Sequence, residues 1–78
     1  MSRMTEKQLI SIVAQILSVE SSLITEDSGI GNPQEWDSFA QISIMLEVER
    51  EIIHKFSPEE ISENSKIKDI LNLINETI

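Results

Sequence analysis

The chain has 78 residues, with 14 Asp and Glu against 6 Lys and Arg, a formal net charge of −8 and no cysteine. That is enough for one small domain, with a limited core and no disulfides to support it. The acidity argues against nucleic acid and anionic membrane surfaces as partners, because phosphate binding needs clustered Lys and Arg, and the length argues against a large substrate cavity with its own catalytic apparatus.

At 40% apolar and 26% charged residues the composition is that of a folded globular chain, so the acidity does not imply disorder. Glu6, Lys7 and Gln8 interrupt the apolar N-terminal residues, and no apolar run approaches the roughly 20 residues that span a bilayer. The expectation is a complete, soluble, cytoplasmic, monomeric domain.

A first helix is predicted over about residues 4–18. Thr5 and Gln8 have capping-box spacing, and Leu9, Val13, Ile16 and Leu17 recur at helical period. A long loop, residues 19–37, follows and holds both glycines and Pro33. Loops of that length in small domains are often functional. Leu23, Ile24, Ile30 and Trp36 are spaced along it, as expected of a segment that packs across the helices at intervals.

The second helix is predicted over residues 38–53. Ser57-Pro58-Glu59-Glu60 has the cap, first-position proline and third-position acid of a helix start, and the thin apolar pattern after it predicts a short helix ending by Asn64. The last helix is predicted from near Ser65 to Ile78, with Ile67, Ile70, Leu71 and Ile74 facing inward. The fold class is therefore all-α, a small four-helix bundle of three longer helices and a short third one.

The second helix carries more apolar surface than one core requires. At 100° per residue, Ile44, Met45, Val48 and Ile52 form a core stripe, and Phe39, Ile42, Leu46 and Ile53 form another. Together they span about 220°, against the 100° or so that a surface helix usually buries. Either the short third helix and the loop cover the second stripe, Ile42 and Ile53 above all, or part of it stays exposed for docking. Phe39 and Leu46 are the residues assigned to partner contact.

At the junction of loop and helix stands Glu35-Trp36-Asp37-Ser38-Phe39. Ser38, with capping-box spacing to Gln41, can cap the helix, and so can Asp37. Ser38 as a hydrolase nucleophile would need a base, and His54 lies 16 residues along, roughly 24 Å away on a straight helix. No Gly-x-Ser-x-Gly elbow surrounds the serine, and His54 is expected to be an ordinary residue at a helix C-terminus. Glu26, Asp27, Asn32 and Glu35 do not match a calcium loop and are expected to be solvated. A hydroxyl opening a helix suits a phosphate-linked group attached by another protein, since a phosphodiester there meets free N–H groups and the positive end of the dipole.

Trp36-Asp37-Ser38-Phe39, followed by Ile42, Ile44, Leu46, Val48 and the acidic run Glu47-Val48-Glu49-Arg50-Glu51, resembles the carrier-protein family. That family comprises acyl carrier proteins, peptidyl carrier domains and D-alanyl carrier proteins, small acidic four-helix bundles with an Asp-Ser-Leu type motif opening the second helix. The similarity extends over nearly the whole chain in helix order, loop length and motif position. It implies an acyl-carrier-protein-like fold and a phosphoprotein rather than an enzyme. Ser38 would carry 4′-phosphopantetheine, transferred from coenzyme A by a separate phosphopantetheinyl transferase. The arm's thiol would hold an acyl or aminoacyl group as a thioester. Asp37 would assist the transferase and its magnesium ion, and Phe39 completes the motif.

The resemblance further implies that loading and transfer enzymes dock along the second helix. Phe39, Ile42, Leu46, Glu47, Glu49 and Arg50 are the residues assigned to that contact. Ala40 and Ser43 stand where carriers of fatty acid synthesis typically have acids, Arg50 interrupts the acidic run, and Phe39 replaces the commoner Leu. Since charge pattern sets partner choice, these departures argue against housekeeping fatty acid synthesis, and Trp36 before Asp-Ser resembles stand-alone carriers of specialised pathways, in lipid or secondary-metabolite biosynthesis. The alternative is an acidic helical adaptor whose second helix grips a partner and in which Ser38 is only a cap.

Overall fold

The computed structural model describes residues 4–77. Helix α1 spans Glu6–Leu17, α2 Ser38–Ile52, α3 Pro58–Glu63 and α4 Ile67–Thr77, with a single 3₁₀ turn at Ser21–Leu23. Among the described residues there is no strand, only isolated bridges from Gly29 to Asn32 and to Lys66. The predicted end of the last helix at Ile78 lies outside the described residues.

Local chemistry starts two of the helices. The Thr5 hydroxyl accepts from the Gln8 N–H while the Gln8 side chain accepts from the Thr5 N–H, and Ser57 and Glu60 repeat the arrangement at α3. Helix α1 stops at Ser18, whose left-handed backbone, φ 59°, lets its N–H and that of Val19 reach back into the last turn. Its inward face is Leu9, Val13, Ala14 and Leu17, with Ile16 only half-buried.

Among the described residues no side chain caps the start of α4. The long loop supplies acceptors instead: the carbonyl of Ser28 accepts from Ile67 N–H at 2.9 Å and that of Glu26 from Lys68 N–H at 3.1 Å. In return the Ile30 N–H donates to the Ser65 carbonyl at 3.1 Å. The loop backbone passes so close that a Cβ on Gly29 would overlap the Ser65 carbonyl oxygen, which is why glycine stands there. The helix begins at Ile67 rather than Ser65 because residues 65 and 66 are engaged by this stitching.

Helices α2 and α4 both pack on α1, whereas among the helices α3 packs on α2 alone. Leu9, Val13, Ile44, Met45, Val48, Ile67, Ile70 and Ile74 are fully buried and form one core with Trp36. Each such side chain contributes on the order of 1.5–3 kcal/mol when removed from water. Of the loop residues expected to pack inward, Ile24 and Trp36 do; Leu23 and Ile30 are exposed. Ile30 lies in the stretch of loop backbone bonded to α4, and Leu23 ends the 3₁₀ turn. No described helix is long and apolar enough to cross a membrane.

Candidate functional site

Helix α2 starts where the sequence motif predicts, but the cap is Asp37 and not Ser38. Asp37 is extended, φ −111° and ψ −173°, and its Oδ1 accepts from the Ala40 N–H at 2.8 Å. Ser38 is the first residue inside the helix and is exposed. Gln41 is no capping partner either: it is buried, and its side chain bonds the Trp36 indole and the carbonyls of Ile61 and Asn64. Two adjacent residues can each cap a helix; the one whose backbone stays extended does so, and its carboxylate also favours the positive dipole end.

Behind the motif the backbone is fixed. The Trp36 N–H donates to the Pro33 carbonyl at 2.9 Å, and the Trp36 carbonyl accepts from the Gly31 N–H at 2.8 Å. Gly31 has φ +90°, a left-handed conformation that glycine adopts without strain. The indole of Trp36 is fully buried and donates to Gln41 Oε1 at 2.9 Å. Ser38 is thus an exposed hydroxyl on a rigid mount.

Beside it lies a cleft of about 450 Å³ between α2 and α3. Ser38 stands at its edge, and Ile30, Ile42, Phe56, Pro58 and Ile61 give it a largely apolar lining. That volume falls within the range of small-molecule sites.

The second stripe of α2 is largely uncovered. Phe39 is 80% exposed, Ile42 and Leu46 are each 49% exposed, and Ile53 is 86% exposed. Of the two alternatives that the sequence leaves open, cover is absent at Ile53 and partial at Ile42, which lines the cleft beside the six-residue α3. Helix α2 ends at Ile52, one residue earlier than predicted, and Ile53 takes a left-handed conformation at φ 55°.

The charged residues assigned to docking are arranged differently from one another. Arg50 is exposed and its guanidinium lies 3.4 Å from Glu47 Oε1, a pairing that water screens heavily. Glu49 is half-buried, and its Oε2 accepts from the Phe56 N–H at 2.7 Å. Asp27, in the acidic loop, pairs with Lys68 at 3.2 Å.

Ser38 and His54 are not brought together. Ser38 opens α2 and His54 lies beyond its other end, so about 20 Å of helix separates them. The His54 ring packs edge-on to Phe56, with centroids 5.3 Å apart. What the sequence did not disclose is the role of Gln41, two of whose three hydrogen-bond partners, Ile61 and Asn64, are distant in the chain. Its only sequence signal is an amide on the buried side of an otherwise apolar helix face. No protein-family model and no curated protein sequence matches the chain, so a functional reading rests on the residues and geometry of this site.

Proposed function

We propose that the chain is a carrier: Ser38 is the attachment point of 4′-phosphopantetheine, and the domain presents an acyl or aminoacyl cargo to enzymes that dock on α2. The observation that carries the reading is the division of roles at the helix start. Asp37 caps α2, which leaves the Ser38 hydroxyl exposed, at a fixed position and beside an apolar cleft.

The residues present fit such a group. On modification the Ser38 oxygen forms the new P–O bond, its proton passes to the transferase's base, and the nucleotide part of coenzyme A leaves as adenosine bisphosphate. Ser38, the first residue of α2, would hold the phosphodiester near the positive end of the helix dipole, which favours an anion. When bound, the arm supplies a thiol that holds cargo as a thioester, chemistry for which the chain has no cysteine of its own. Ile42, Phe56 and Ile61 offer an apolar surface along the cleft for the arm or its cargo. The exposed Phe39, Ile42 and Leu46 offer partners a contact beside the attachment point, and tethering raises the cargo's effective concentration there. The charge pattern around Arg50 argues against partners of housekeeping fatty acid synthesis, and Trp36 before the motif favours a specialised pathway.

An adaptor would use the same exposed stripe, but it needs Ser38 only as a cap, a role held by Asp37. Co-expression with a broad-specificity phosphopantetheinyl transferase separates the two readings. Wild type gains the mass of one phosphopantetheine and Ser38→Ala gains none; an unmodified wild type sinks the carrier reading.

A further inference from the structure

Gln41 and Ser28 are the buried polar side chains among the described residues, and Gln41 joins three separate parts of the chain. Its Oε1 accepts from the Trp36 indole at 2.9 Å, and its Nε2 donates to the carbonyls of Ile61 and Asn64, each at 2.8 Å. Those carbonyls belong to the last turn of α3 and its cap, where the helix has stopped and offers them no partner of its own. A carboxamide of this reach is suited to the task, since it supplies one acceptor and two donors together; a carboxylate lacks the donors.

Helix α3 needs such an anchor. It has six residues and none of them is buried, and Ile61 is its one apolar side chain packed against the core. A helix so short has no stability apart from its contacts. Its Pro58 and Ile61 form one wall of the cleft beside Ser38, and Ile42 on α2 forms part of the other.

We propose that Gln41 is a positioning residue: it latches the C-terminal end of α3 to the first turns of α2 and thereby sets the width of the cleft beside Ser38. Its functional meaning rests on the reading of Ser38 as an attachment point. With the latch made, α3 closes over whatever lies along the cleft; with it cut, α3 loosens while the α1–α2–α4 core stays intact.

Amide hydrogen exchange on the unmodified full chain tests the latch. The Ile61 and Asn64 amides, bonded within α3 to Ser57 and Glu60, report its opening, and the amide of core residue Val48 is the reference. In Gln41→Leu, exchange at Ile61 and Asn64 rises about tenfold or more relative to Val48, and the Trp36 indole N–H exchanges faster too. Gln41→Glu keeps an acceptor for the indole and, once ionised, has no donor for α3, so exchange is followed as the pH is raised. It reproduces the α3 effect with the indole still protected, and it decides the matter if Gln41→Leu does not fold. Ratios unchanged from wild type, or a rise shared equally with Val48, overturn the latch.

For the cleft, octanoyl-phosphopantetheine is installed on Ser38 and the thioester is exposed to hydroxylamine. Cleavage about threefold or more faster in Gln41→Glu than in wild type is expected of a loosened wall, and equal rates overturn that role. A chain that accepts no phosphopantetheine fails the carrier reading, while the exchange measurement still decides the latch.

Discussion

The backbone N–H of Phe56 donates to Glu49 Oε2 at 2.7 Å, so a carboxylate in α2 holds the segment that leaves it. The Glu49 carbonyl also accepts from Ile53 and His54, which places the whole turn from α2 toward α3 under one residue. An acid that charge pattern alone assigns to a partner therefore has a task within the fold. Glu49→Ala is expected to cost about 1.5–3 kcal/mol in urea denaturation, the range for a hydrogen bond to a charged acceptor. Glu51→Ala, on an exposed position of the same helix, is expected to stay within about 0.5 kcal/mol. Equal effects would remove Glu49 from the turn.

The helix start yields a second comparison. Asp37→Ala removes the cap and is expected to lower stability by about 0.5–2 kcal/mol. Ser38→Ala is expected to change it by less than about 0.5 kcal/mol, since the serine caps nothing. Asp37→Asn retains the cap, so slower phosphopantetheinylation of that variant at unchanged stability would isolate the carboxylate's part in the transferase reaction.

Ile53 is a β-branched residue at φ 55° with 86% of its surface exposed. Left-handed backbone costs a residue of this kind about 1–2 kcal/mol, and exposure returns nothing through burial. Ile53→Gly is expected to raise the melting temperature by several degrees. A fall would mean that Ile53 makes a contact which stabilises the fold.

The two glycines of the loop should respond unequally to alanine. At Gly29 a Cβ meets the Ser65 carbonyl oxygen and the Lys66 side chain, so Gly29→Ala must part the loop from α4. At Gly31 nothing lies within 4 Å and only the positive φ resists, at about 1–2 kcal/mol. Thermal unfolding should show the larger loss for Gly29→Ala; the reverse order would contradict the close approach.

On the surface of α2, Phe39→Glu and Leu46→Glu are expected to leave stability within about 0.5 kcal/mol of wild type, because neither side chain enters the core. Both should weaken transfer of cargo to a cognate enzyme, measured with phosphopantetheinylated protein. Unimpaired transfer with both variants would place the docking surface elsewhere.

Features governed by neighbours in the chain were legible in the sequence. The Thr5–Gln8 and Ser57–Glu60 boxes, the inward stripe Ile44, Met45, Val48 and Ile52, and the surplus apolar stripe beside it all follow from spacings of three or four residues. Features that depend on contacts between distant segments were not. Gln41 bonds partners 20 and 23 residues away, and the carbonyls of Glu26 and Ser28 serve a helix some forty residues on. The choice between Asp37 and Ser38 as cap turns on one residue's backbone angles, which neither side chain's chemistry determines. Of the candidate site, the position of Ser38 was readable, and the cleft and its amide anchor were not.

The stitching of the long loop to α4 bears on the order in which the chain assembles. The first N–H groups of α4 find their acceptors only when residues 26–30 have come into place, so its first turn waits on a contact that closes a loop of about forty residues. A fragment spanning α3 and α4 alone therefore lacks the caps its second helix uses and should be largely unstructured. Formation of the first turn of α4 and ordering of residues 26–30 are expected to be one coupled event. During synthesis α4 would then settle only once the carbonyls of Glu26 and Ser28 are in place to receive its first N–H groups.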